Sequence, residues 1–358
     1  MTVVRVRLSS PKPAEAAPDL KEWTLRAALI LILLLCLAGC QSPVRHQTGP
    51  PLPLRLAYAT LHDCALVHIA LARGFLREEG LDVEAYRFSY GKEALQAVLE
   101  GKADIATVAE TPVMFAALQG HKLSLLASIF TSNKNHVILA DSKSGITSPG
   151  DLMRRRVGFT PGTTNHMFLS SFLTANGLSG EDIIPVSLAP EQMRDALLAG
   201  RVDAVSTWGP DYRIIAGSLA GRSVPFEDPY IYTETFVVAG KTSYVAENQE
   251  AMRRLLRALV RAEQFAAANP NEAQAIVATA SGLPREVLAQ CWGESARTVG
   301  LDHALLISLE DETRWSGKSR LVREAPMPNY LDYLDPRPLL AVKPQAVDRQ
   351  VLKSDLRP

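Results

Sequence analysis

Leu99-Glu100-Gly101-Lys102-Ala103-Asp104-Ile105-Ala106 and Leu198-Ala199-Gly200-Arg201-Val202-Asp203-Ala204-Val205 are two copies of one local design. Each reads as a helix end, a glycine that stops it, a basic residue and a buried strand entered through aspartate. Outward from the first copy, residues 54–59, 81–88, 104–108, 123–130 and 136–140 carry the apolar or alternating pattern of strands. Helices are expected between most of them, at 65–75, 92–99 and 111–118. Outward from the second copy, strands at 156–159, 183–186 and 203–207 interleave with helices in the same way. The alternation predicts an α/β fold of two comparable units, each a largely parallel sheet with helices on both faces. A strand at 233–239 then precedes a mainly helical region from 249. A chain that leaves one lobe and returns with a strand crosses twice, here near 140–145 and 228–234, and the cleft between the lobes is the natural ligand site. Lobe 1 is thus expected to hold 54–140 and 234–345, lobe 2 to hold 141–233, and 346–358 to form a tail.

The first 53 residues read differently. Residues 27–37 are apolar or small, follow Lys21 and Arg26, and run into Leu37-Ala38-Gly39-Cys40. This is the order of a secretory signal, and as a helix the apolar core would reach only about 17 Å, short of the roughly 30 Å of a bilayer core. Residues 1–39 therefore read as a signal peptide, with a short membrane anchor as the alternative. Residues 40–53, with Pro43, Gly49, Pro50, Pro51 and Pro53, read as a tether. Leu37-Ala38-Gly39 before Cys40 resembles a bacterial lipobox, which implies acylation of Cys40.

Removal of that leader would leave 319 residues, enough for two lobes. The leader holds five basic and three acidic residues of the 38 of each in the chain, so 33 basic and 35 acidic remain. Near-neutral charge excludes a strong field for gathering nucleic acid or a membrane surface. Cys64 and Cys291 are expected to be two separate buried thiols, with a disulfide between them as the alternative in an oxidising compartment.

In open α/β sheets ligands sit beyond the C-terminal ends of strands. Here those ends are Thr60-Leu61-His62-Asp63, Ala109-Glu110-Thr111, Pro161-Gly162-Thr163-Thr164-Asn165-His166 and Thr207-Trp208-Gly209-Pro210-Asp211. Gly162 permits close approach, and Thr163 and Thr164 add hydroxyls to unpaired amides at a helix start. The combination suits an anion, or else is an ordinary threonine cap. Trp208 either covers a planar part of a ligand or packs structurally. His62 or His166 could donate to an anion. Asp63, Glu110, Asp211 and Glu234 favour an amine if two or more face the cleft, while any one alone could be a cap or a solvated residue. No nucleophile elbow, phosphate loop, dinucleotide fingerprint or His/Cys metal cluster is present, so no catalysis, metal or cofactor is expected.

The run Ala70-Leu71-Ala72-Arg73-Gly74-Phe75-Leu76-Arg77-Glu78-Glu79-Gly80-Leu81-Asp82-Val83, with residues 99–109, Gly162-Thr163-Thr164 and residues 199–208, resembles periplasmic substrate-binding proteins of the nitrate/sulfonate/taurine/bicarbonate and thiamine-precursor-like group, in lipoprotein form. The resemblance spans about residues 53–345. It implies a type II periplasmic binding protein, two α/β lobes joined by two crossovers, that receives a solute for an ABC importer. By it, Thr60, His62, Glu110, Thr111, Thr163, Thr164 and Trp208, with Asp211 and Glu234, are the expected ligand residues. A sulfonate or taurine-like anionic or zwitterionic solute fits the threonines and the carboxylates, while a thiamine-pyrimidine precursor fits Trp208 and the carboxylates. A pyrimidine-forming enzyme in the group carries a cysteine-rich motif that this chain lacks. The implied partners are a permease, an ATPase and, through Cys40, the membrane. The expected place is the periplasm or cell surface and the expected state a monomer. A lipid-anchored sensor without a transport role is the alternative, and Gln41 after the cysteine resembles outer-membrane sorting.

Overall fold

Asp104 and Asp203 show why the repeated motif recurs. The computed structural model describes residues 50–319, 321–322 and 326–352, so the signal segment, Cys40 and the last six residues lie outside the described residues. Two helices, α3 (Gly91–Leu99) and α6 (Met193–Leu198), precede the two aspartates. Both stop at a left-handed glycine, Gly101 (φ 78°) and Gly200 (φ 64°). Lys102 N donates to Ala97 O and Arg201 N to Ala196 O, the 6→1 bond of a Schellman cap that only a residue tolerant of positive φ completes cheaply. The chain then enters β3 (Ile105–Ala109) and β8 (Ala204–Trp208). Asp104 accepts from the backbone N (2.8 Å) and Nη2 (2.6 Å) of Arg55 in β1 (Leu52–Ala59). Asp203 does the same for Arg156 in β6 (Arg156–Phe159), at 2.8 and 2.6 Å. Each aspartate thus locks one parallel strand pair. Asp203→Ala and Asp104→Ala are each expected to cost about 1–2 kcal/mol, read by urea denaturation, because each leaves a strand amide without its acceptor.

The remaining strands are β2 (Leu81–Phe88), β4 (Leu123–Ser132), β5 (His136–Asp141), β7 (Ile184–Ser187), β9 (Ser223–Phe226) and β10 (Glu234–Lys241). They form two five-stranded sheets of matching order, β2-β1-β3-β10-β4 and β7-β6-β8-β5-β9. In each sheet the fourth strand is antiparallel to its neighbours and comes from the crossing chain: β10 returns to the first sheet and β5 enters the second. This corrects the expected lobe limit at 140. Residues 136–140 belong to the second sheet, so the first crossing lies between Ser132 and His136, and the second between Phe226 and Glu234. The reason is physical: a fully buried apolar run paired on both sides has the same pattern in either sheet.

The other α-helices are α1 (Ala65–Ala72), α2 (Phe75–Glu78), α4 (Glu110–Leu118), α5 (Thr164–Ala175), α7 (Gly209–Ser218), α8 (Thr242–Glu247), α9 (Gln249–Ala268), α10 (Pro270–Ser281), α11 (Arg285–Cys291), α12 (His303–Lys318), α13 (Arg337–Val342) and α14 (Arg349–Leu352). The first lobe has one large core, in which Leu56, Ile105, Leu125 and Val237 of the sheet join Leu255 and Leu259 of α9. The second has two smaller cores, one on each face of its sheet. Ile138 and Val157 pack with Phe168 and Phe172 of α5, while Val137, Leu139 and Val205 pack with Leu197 and Trp208. Residues 326–352 return over the first lobe, where Asp335 N donates to Leu125 O at 3.0 Å.

Candidate functional site

Gly91 sets the first wall of the inter-lobe cleft. A β-carbon there would lie 2.9 Å from Val108 Cα and 3.2 Å from the Phe236 ring, so α3 starts hard against β3 and β10. This close approach places Tyr90 and Lys92 at the cleft. On the opposite wall Gly162 (φ +69°) turns the chain into α5, and a β-carbon there would meet Lys92 Nζ at 3.1 Å. Lys92 Nζ spans the gap and donates to Pro161 O at 2.9 Å. Partial desolvation lowers the pKa of its ammonium.

Two cavities meet at Lys92. The inner one, about 20 Å³, has room for about one water and is lined by Tyr90, Gly91 and Lys92 of the first lobe, Thr163, Thr164 and Trp208 of the second, and Glu234. The outer one, about 310 Å³, is walled by Leu95, Leu99, Phe115, Pro161, His166 and Leu321. His166 Nδ1 accepts from Gly162 N at 3.3 Å, which leaves the proton of the neutral ring on Nε2. Burial, and then Lys92, push its pKa down to about 4. Lys92 is the only lysine or arginine among the described residues lining either cavity.

A polar chain runs from the inner wall into the hinge. Trp208 Nε1 donates to Thr164 Oγ1 (2.9 Å), and Thr164 Oγ1 donates to Glu234 Oε1 (3.2 Å). Asn135 Nδ2 donates to Glu234 Oε2 at 2.6 Å and to Asp63 Oδ1 at 3.1 Å. Beside this chain, Glu110 accepts from Thr235 N at 2.8 Å and from the Tyr232 hydroxyl, and Thr111 donates to Glu312 Oε1 at 2.6 Å. All four carboxylates are at most 1% exposed. Burial pushes Glu234 and Glu312 up to about 8. Asp63 and Glu110 are raised well above the usual carboxylate range, by burial first and then by Glu234 and Glu312 respectively.

Of the expected ligand residues, Thr163, Thr164, Trp208 and Glu234 meet at the inner cavity. Glu110 and Thr111 lie behind it, bonded to Tyr232 and Glu312. The threonine hydroxyls serve the protein itself: Thr163 Oγ1 donates to Thr160 O at 2.7 Å, and Thr164 is held as described. Thr60, His62 and Asp211 line neither cavity. The Thr60 amide continues the β1–β2 ladder, and His62 is buried edge-on against Phe130, its pKa pushed down to about 3 by burial. Asp211 is pushed up to about 6 by burial.

Sequence reasoning missed Lys92, Asn135, Tyr232 and Glu312. Lys92 was within reach, because Ser89-Tyr90-Gly91-Lys92 follows the C-terminal end of β2 as the chosen segments follow theirs. Glu312 had no local signal, since α12 reaches the site only through the tertiary fold. Cys64 and Cys291 are free and buried. No three or more His, Cys, Asp or Glu among the described residues are placed to hold a metal, and no described helix is long and apolar enough to cross a membrane.

Residues 62–273, which include both walls of the inner cavity, match a family model described as NMT1/THI5 like. The chain belongs to the NMT1/THI5-like family. It is a periplasmic-type solute-binding protein of the ABC-importer class, an extracytoplasmic receptor for a small polar solute whose implied partners are permease and ATPase subunits. Similar proteins include a putative binding protein of Brucella abortus, 26% identical over 231 residues that cover 63% of this chain and 71% of the relative. A putative aliphatic sulfonates-binding protein of Escherichia coli is 29% identical over 204 residues, 56% of this chain and 63% of the relative. Among solved structures, the periplasmic aliphatic sulphonate binding protein SsuA of Escherichia coli superposes with a TM-score of 0.67 at 24% identity, over 76% of this chain and 94% of that one. That likeness shows the fold, two α/β lobes of the type II binding-protein kind.

Proposed function

We propose that the solute is a small zwitterion carrying a sulfonate or similar anionic group together with an amine, received in the periplasm by a protein anchored through acylated Cys40. The observation that carries this is the pairing of Lys92 and Glu234 on one inner cavity. Lys92, the first amides of α5 and the His166 Nε2–H supply charge and donors for an anion. Glu234 supplies the acceptor for an ammonium, whose arrival would favour its ionised form. The inner cavity admits the charged groups only as the lobes part around them, and the outer cavity has volume for the rest of the molecule. Similarity to a putative aliphatic sulfonates-binding protein supports the anionic half of the reading.

Native mass spectrometry of the purified protein, followed by calorimetry with taurine and with ethanesulfonate, tests it. Taurine is expected to bind at least about ten-fold tighter than ethanesulfonate, which lacks the amine, in keeping with one charge-assisted hydrogen bond. Equal affinity, or a carried solute without an anionic group, such as a thiamine-pyrimidine precursor stacked on Trp208, would refute it.

A further inference from the structure

The two crossings between the lobes are each tied to the first lobe by a pair of buried carboxyl groups. Asn135, in the first crossing, shares its amide between Asp63 of the first lobe and Glu234, where the second crossing enters β10. Tyr232, in the second crossing, donates to Glu110 of α4, which faces Glu312 of α12. Glu312 is buried, accepts from Thr111 and lies within hydrogen-bonding reach of Tyr232 and Glu110. Glu234 also holds the second lobe, through Thr164. None of Glu110, Glu234 and Glu312 has a salt-bridge partner among the described residues, and Asp63 has only His62, 3.7 Å away.

Buried carboxylates without cations carry a desolvation penalty of several kcal/mol per ion, so each pair keeps at least one proton while the lobes are closed. We propose that these two pairs form a proton latch: closure of the lobes binds protons at Asp63/Glu234 and Glu110/Glu312, and opening, which lets water in, releases them. Tyr232 and Asn135 act as positioning residues that hold the crossings against the protonated pairs. The inference rests on the receptor reading only in taking the lobes to part and close, and it describes the protein free of solute.

The groups facing the latch do not replace it. His62 is kept neutral by burial, reinforced by Arg297 and Arg213. His136, edge-on to Tyr232, is pushed down to about 3 by burial. Asp211 adds a third carboxyl beside Asp63, and Tyr330 faces Glu312 with its hydroxyl pushed up to about 12. Lys92 shares the inner cavity with Glu234 and is engaged by Pro161 O. The sign follows from the raised carboxyl values. Closure is fully favoured below the ordinary carboxyl pKa and weakens as pH rises towards about 8, the value of Glu234 and Glu312 in the closed form. Each proton bound on closing lowers the closed-to-open ratio about ten-fold per pH unit across that window.

The test is small-angle X-ray scattering of the purified protein, dialysed free of solute, at pH 6 and pH 9, with circular dichroism to verify that it stays folded. The wild type is expected to show a larger radius of gyration at pH 9, and the Glu234→Gln/Glu312→Gln variant to keep its pH 6 radius. In that variant each amide can sit where Thr164 and Glu110 accept a hydrogen bond. A wild-type radius unchanged between the two pH values would overturn the latch, as would equal expansion of the variant. If the double variant does not fold, Glu312→Gln alone decides, since its amide can donate to Glu110 without a titrating proton. It must open less than the wild type, and equal opening refutes the proposal. No solute enters the experiment, so a wrong solute assignment leaves this result unaffected.

Discussion

Lys92→Met is expected to weaken binding of a sulfonate about 30-fold or more while leaving the unfolding midpoint nearly unchanged. The two effects separate because of where Lys92 sits. It follows Gly91 at the start of α3, and its ammonium has one hydrogen bond, to Pro161 O. Loss of one such bond at an open site costs at most about 1 kcal/mol of stability, and methionine keeps the aliphatic stem that lies along the outer cavity. Binding is another matter, because Lys92 is the sole lysine or arginine lining either cavity among the described residues. Truncating one partner of a hydrogen-bonded charge pair costs roughly 2–5 kcal/mol, and the lower end is about 30-fold. Calorimetry on both proteins with taurine checks this. Undiminished affinity would show that the anion is held elsewhere, while improved binding would point to a cationic solute gathered by Glu234.

Trp208→Ala is expected to destabilise the protein by about 3–5 kcal/mol, the range for removing a large buried aromatic side chain. Trp208 is 5% exposed and packs with Val137, Leu139 and Val205 on one face of the second sheet. It also ends β8 and precedes α7, and its indole N–H holds Thr164. Trp208→Phe separates the two roles. The phenyl ring keeps most of the packing and removes only the N–H, so it should cost about 1–2 kcal/mol and loosen Thr164 from the inner wall. Urea denaturation followed by far-ultraviolet circular dichroism distinguishes them, and equal costs for the two variants would mean that the hydrogen bond, not the packing, dominates at this position.

The parts legible in the sequence were local. Gly101 and Gly200 stop helices through backbone conformation, and Asp104 and Asp203 sit one residue before a strand, so their roles repeat wherever the motif repeats. Residues 136–140 were legible as a strand but not as a strand of the second sheet. Their run of apolar residues is satisfied by burial on both faces, and that condition holds in either lobe.

The candidate site divides the same way. Asp63, Glu110, Asp211 and Glu234 stood out singly at strand ends, as carboxylates near a cleft. Only the tertiary structure set Asp63 and Glu234 on the single amide of Asn135, brought Glu312 beside Glu110 from a helix some two hundred residues further on, and left Asp211 and His62 off the cavity walls. The sequence by itself determined the element types, the paired lobes and the segments that surround the cleft, because periodicity, caps and strand ends are short-range properties. The tertiary structure decided which sheet takes each crossing strand, which cation meets the solute and which carboxyls share a proton, because desolvation and charge pairing depend on distances between residues far apart in the chain.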